Sequence, residues 1–84
     1  MGRETRTAAQ LRAVVQLRFD ALPEVVDATR RRPDLAPVVG PVERTWIDAE
    51  GRNWDARSVS HAFGLMGPFR TIVDELRNRY TLTD

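Results

Sequence analysis

His61 is the chain's one histidine and the natural place to look for proton transfer near neutral pH. Ser58 lies three residues before it, a spacing that meets on one face of a helix, whereas the adjacent Ser60 faces elsewhere. Nucleophilic catalysis by such a pair needs an orienting acid and convergent geometry, which neighbouring positions on one short helix do not supply. His61 is therefore read as a partly exposed helix residue with local hydrogen bonds. Lysine is absent, which excludes Schiff-base chemistry, and cysteine is absent, which excludes thiolate metal sites and disulfides. Asp48, Glu50 and Asp55, with Asn53 among them, have the composition of a calcium loop, but not its order. A calcium loop alternates oxygen ligands before a glycine at the sixth position, whereas here Gly51 is fourth from Asp48 and Arg52 occupies a ligand position. Gly64-Leu-Met-Gly67-Pro68 is no phosphate loop, because proline removes a backbone donor where one is needed. The expectation is a protein that is not an enzyme, with no catalytic residue, cofactor or metal.

The remaining chemistry is that of recognition. All thirteen basic residues are arginine, so every positive charge is a planar fork suited to bidentate partners. Exclusive use of arginine also fits a GC-rich bacterial or phage genome. The charge is unevenly spread: residues 1–32 carry seven arginines against four acids, a net of +3, and residues 33–84 carry six against eight, a net of −2. That split is well short of the basic footprint of a typical nucleic-acid binder. Both tryptophans lie in Trp46-Ile-Asp-Ala-Glu-Gly-Arg-Asn-Trp54. Arginine and tryptophan dominate interface energetics, so Arg52, Trp54 and Arg57 form the first predicted partner-binding group and Arg30, Arg31 and Arg32 the second. Arg12 and Arg18 extend the latter patch if they share its face.

An alternative is DNA recognition. Val59-Ser-His-Ala-Phe-Gly64-Leu65, followed by an amphipathic segment, has the outline of a helix-turn-helix unit over 56–80. Its second helix would offer Arg70, Thr71, Arg77 and Asn78 to base edges, while Asp74 and Glu75 would repel phosphates.

The elements that must position these residues follow from patterning. Thr7 to Leu22 mixes a helical stripe (Leu11, Val14, Val15, Leu22) with an alternating stretch, and its helix-favouring flank decides for helix. Pro23 to Arg32 reads as a second helix, with proline at its start and the arginine run at its C-terminal end. Residues 33–41 are a proline-rich extended connection. Val42 to Asp55 reads as a β-hairpin, with Asp48-Ala-Glu-Gly51 forming a type I turn closed by a left-handed glycine. In that register Asp48 opposes Arg52 and Trp46 opposes Trp54, and the rings form a cross-strand pair packed mainly against the core. Asp55 then caps a helix over 56–63 that Gly64 stops, and Pro68 opens a last helix with the stripe Phe69, Ile72, Val73, Leu76 and Tyr80. Residues 1–6 are expected to fray and 81–84 to form a polar tail.

The expected fold is therefore α+β and mainly helical: a single small domain of two N-terminal helices, a β-hairpin at about 42–55, and two C-terminal helices. The run from Ile47 to Trp54, followed by Ala56, Val59, Ala62, Phe63, Gly64 and Leu65, resembles the opening of phage antirepressor N-terminal domains. That resemblance implies a short hairpin, a tryptophan and then a helix. A chain of 84 residues buries a modest core, so self-association as a homodimer is a further expectation. With no apolar run near the length of a membrane span, the expected setting is the cytoplasm and no membrane partner is predicted. The function expected is stoichiometric binding of a macromolecule, most readily a protein, by a regulator, inhibitor or adaptor of the kind that phages and mobile elements encode. The alternative is a DNA-binding transcriptional regulator.

Overall fold

In the computed structural model, which describes residues 3–83, the chain leads with a strand, β1 (Glu4–Arg6). Helix α1 (Ala8–Asp20) begins at once, because Thr7 and Gln10 form a reciprocal capping box: the Thr7 hydroxyl accepts from the Gln10 N–H and the Gln10 amide accepts from the Thr7 N–H. Leu11, Val15 and Phe19, spaced by four, make its buried stripe. Of the other apolar positions expected on that face, Val14 and Leu22 pack at its edge. Helix α2 (Pro23–Arg31) starts on proline, as expected, and Pro33 diverts the chain into a single 3-10 turn over Pro33–Leu35.

After these helices the structure departs from the expected order. Strand β2 (Val38–Val39) pairs antiparallel with β5 (Val59–Ser60), and β3 (Glu43–Arg44) pairs antiparallel with β4 (Trp54–Asp55). The helix expected over 56–63 does not form, so there are three α-helices among the described residues and not four. The segment Arg57-Ser-Val-Ser-His61 has weak helix propensity, and it is taken by a competing strand partner. Gly40 donates its N–H to the Ser58 carbonyl at 2.8 Å, and a Cβ on Gly40 would meet Ser58 Oγ at 2.1 Å. A side chain there would require the Ser58 hydroxyl to rotate away and the Ser58 Cβ and carbonyl, each at 3.1 Å, to give slightly. Gly64 still ends the segment with φ +84°, now closing a turn rather than a helix.

Helix α3 (Met66–Arg79) starts two residues earlier than Pro68 predicts and buries Phe69, Ile72, Val73 and Leu76. Phe69 meets Phe19 of α1 edge to face, with ring centroids 5.4 Å apart. The chain then enters β6 (Tyr80–Leu82), which pairs parallel with β1 in the register Glu4 to Tyr80, Thr5 to Thr81 and Arg6 to Leu82. The expected fray at 1–6 and tail at 81–84 are thereby corrected for residues 4–6 and 81–82: each supplies the other's missing backbone partners. Residues 1, 2 and 84 lie outside the described residues. The result is a small, compact, elongated α+β domain with extents of 40 × 19 × 17 Å. No described helix is long and apolar enough to cross a membrane.

Candidate functional site

The hairpin turn is as the sequence predicts. Gly51 donates to the Asp48 carbonyl at 3.0 Å, Gly51 adopts φ +81°, and Asp48 donates to the Arg52 carbonyl at 3.0 Å. Asp48 also opposes Arg52 through its side chain, accepting from Arg52 Nε at 2.7 Å. Beyond the turn the register shifts. Thr45 donates to the Asn53 carbonyl and Arg44 lies opposite Trp54. The first strand therefore holds two residues, Trp46 and Ile47, with no counterpart on the second. They are extruded as a bulge. The expected Trp46–Trp54 pair does not exist: Trp54 is wholly buried, whereas Trp46 is 94% exposed and Ile47 74% exposed.

The cause lies on the second strand. Asn53 uses its side-chain amide like a strand backbone, donating Nδ2 to the Leu82 carbonyl at 3.0 Å and accepting from the Leu82 N–H at 2.9 Å. Trp54 Nε1 donates to the Tyr80 carbonyl at 2.9 Å. Together they lock residues 53–54 onto β6 with the Trp54 ring inward. The first strand must then absorb its surplus outward, and the surplus is the pair Trp46–Ile47. Thr45 Oγ1 beside it is buried and has no hydrogen-bond partner among the described residues, and Arg44, Thr45 and Trp46 line a depression of about 280 Å³.

A web of arginines holds this end rigid. Arg77 Nε donates to the Trp54 carbonyl at 2.6 Å and its Nη atoms lie 3.8 Å from Asp48 and 3.7 Å from Asp74. Arg70 donates to Asp55 at 3.0 Å and to the Ala56 carbonyl at 2.8 Å. Arg52 also reaches Glu50 at 3.1 Å, and Arg3 bridges the Glu50 and Asn78 carbonyls. The Asp48 carboxyl is held below its ordinary range, first by the Arg52 backbone N–H and then by the Arg52 guanidinium, against the opposing effect of desolvation. The Arg52 guanidinium is pushed up by its hydrogen bond to Asp48, and that of Arg57 by its hydrogen bond to Glu43.

The predicted site residues thus separate. Trp54 is core, a correction to its place in the first partner-binding group, because its indole is needed against α3 and β6. Arg52 belongs to the turn, while Arg57 is exposed and paired with Glu43. Of the residues expected to face DNA, Arg70 and Arg77 are bound into the hairpin and the Thr71 hydroxyl donates to the Gly67 carbonyl. The helix expected to precede them in a helix-turn-helix unit is replaced by a segment that carries the short strand β5. Arg12 donates to the Val39 carbonyl and Arg18 pairs with Glu75, so neither extends the Arg30–Arg32 patch.

That patch borders a second feature. Ala28, Arg31, Arg32 and Leu35 face His61, Phe63 and Leu65 across a cleft of about 290 Å³. His61 stacks on Phe63 with centroids 5.9 Å apart, and both have positive φ, 59° and 24°. Backbone of this kind is uncommon for bulky residues and costs of order 1–3 kcal/mol each. The sequence reading gave His61 a place on a helix and so missed its partners. The signal for the bulge, a hairpin whose buried asparagine fixes one strand, requires knowing that β6 lies alongside.

No family model matches the chain, and no curated protein or solved structure is detectably similar to it.

Proposed function

We propose that the protein is a non-enzymatic binding protein that engages a protein partner stoichiometrically through the Trp46–Ile47 bulge, as a regulator, inhibitor or adaptor. The observation that carries this reading is an indole 94% exposed beside an isoleucine 74% exposed, on a turn tied to α3. A core this small gains from every ring it buries, so an exposed tryptophan is a cost to the isolated chain. Tryptophan carries a large apolar surface on only two side-chain torsions, so fixing it on association costs little entropy for the area gained. A cysteine-free chain suits a reducing cytoplasmic setting.

DNA recognition through α3 draws less support, because Arg70 and Arg77 already serve the hairpin. Anisotropy with random duplex DNA at low salt tests it directly; steeply salt-dependent binding would favour that alternative.

The test of the main reading places a photo-crosslinking amino acid at position 46, and separately at the exposed Leu17 of α1, in the native host. A single protein adduct at 46 that is absent at 17, and that forms a complex of fixed stoichiometry when purified, is the expected result. An adduct with a second copy of this chain would identify the partner as itself and establish the homodimer. Equal, unspecific labelling at both positions would refute the reading.

A further inference from the structure

The cleft between α2 and the 61–65 loop stands apart from the hairpin. It lies beside Leu65, at the start of α3, whereas Asp48 and Glu50 of the hairpin reach Arg77 and, through Arg3, Asn78 near its end. Leu65 and Arg77 are twelve residues apart, which along a helix is about 18 Å. The cleft is lined by the apolar Ala28, Leu35, Phe63 and Leu65 together with His61 and the exposed Arg31 and Arg32.

We propose that this cleft receives an acidic peptide segment of a partner protein, taking one large apolar side chain between Phe63 and Leu35 and flanking carboxylates on Arg31 and Arg32. Four observations converge. The volume, about 290 Å³, has room for one large side chain. Among the described residues the two guanidiniums are held by local, exposed acids, Arg31 by Asp27 and Arg32 by Asp34 at 3.8 Å. Exposed pairs of this kind contribute little and exchange readily for an incoming carboxylate. The Phe63 ring is 75% exposed, on backbone with positive φ that turns it to the cleft mouth rather than into the core. Finally, the lining has no polar group besides the arginines and the imidazole. An aliphatic or phenyl side chain meets the apolar part of that lining without losing a hydrogen bond, and the two guanidiniums remain for the flanking carboxylates.

The chain supplies its own reporters, because its one histidine lies in the cleft and its two indoles lie in the hairpin region. The experiment titrates three peptides into the full-length protein and follows the His61 ring and the Trp46 indole N–H by NMR. The first is Ac-Gly-Glu-Glu-Phe-Glu-Glu-Gly-NH2, the second replaces its Phe by Ala, and the third replaces its four Glu by Gln. The expected result is a saturable shift of His61 by the first peptide, weakened about fivefold or more in each control, with Trp46 unmoved. Arg31→Gln with Arg32→Gln, and separately Phe63→Ser, are all exposed changes and are expected to weaken the first peptide by about the same factor. No His61 shift at millimolar peptide, equal binding of all three peptides, or a response at Trp46 alone would each overturn the proposal. So would stronger binding of single-stranded oligothymidylate that displaces the peptide. The His61 response decides the cleft whatever crosslinking shows for the hairpin, so the two readings fail separately.

Discussion

The two ends of α3 use the same residue types to opposite effect. At its C-terminal end Arg77 and Arg52 are enclosed by carbonyls and carboxylates of the hairpin, and Trp54 is wholly buried beside them. At its N-terminal end Arg31 and Arg32 sit on an exposed rim, and the aromatic residue, Phe63, faces solvent. Within the hairpin the contrast repeats over eight positions: Trp54 is structure, Trp46 is surface. Residue type alone therefore does not say which arginine or tryptophan is available to a partner. What decides is whether neighbouring backbone groups have other partners, and at the hairpin the arginines are those partners.

The sharpest way to break this contrast is to remove each ring. Trp54→Ala should lower unfolding stability by about 3–5 kcal/mol in urea denaturation, through loss of burial and of the bond to Tyr80. Trp46→Ala should change it by less than about 0.5 kcal/mol. Equal losses would mean the two tryptophans share one environment after all. Next in size is Asn53→Ala, which strands the Leu82 N–H and carbonyl and should cost about 1–3 kcal/mol. Its specific signature is faster amide exchange at Leu82 than elsewhere in β6. At the other end of α3 the sign reverses. His61→Gly should raise stability by up to about 1 kcal/mol, because glycine adopts φ near +59° without strain. A loss there would show that the imidazole is structural.

The smallest effect concerns pH. Asp48 has a folded pKa below its ordinary value of 3.8, so the folded state binds fewer protons than the unfolded state as that value is approached. Its contribution is complete above pH 3.8 and is lost as pH falls through the lower, folded value. Asp48→Asn should therefore flatten the stability profile below about pH 4 and leave the pH dependence above it unchanged.

Much of the local structure was readable from the chain. Pro23 and Pro33 bracket α2, the Phe69–Leu76 stripe marks α3, and Asp48 and Gly51 specify the turn, since each depends on neighbours in sequence. The misreadings share one cause. The 56–63 helix, the loose ends and the Trp pair were all settled by partners distant in sequence: Val39 for Val59, Glu4–Arg6 for Tyr80–Leu82, and Leu82 for Asn53. Short strands carry too little pattern to announce such pairings. The cleft was legible only in part. Arg30–Arg32 stood out as a charged run, but nothing in the sequence places His61 and Phe63 across from it.

The parallel pairing of β1 with β6 has a mechanical consequence. Tension applied at residues 4 and 82 pulls the two strands past one another, so their hydrogen bonds resist together instead of opening one at a time like a zipper. A tether running through this protein would load its clasp in shear, and the helices behind that clasp would feel no force until it slipped.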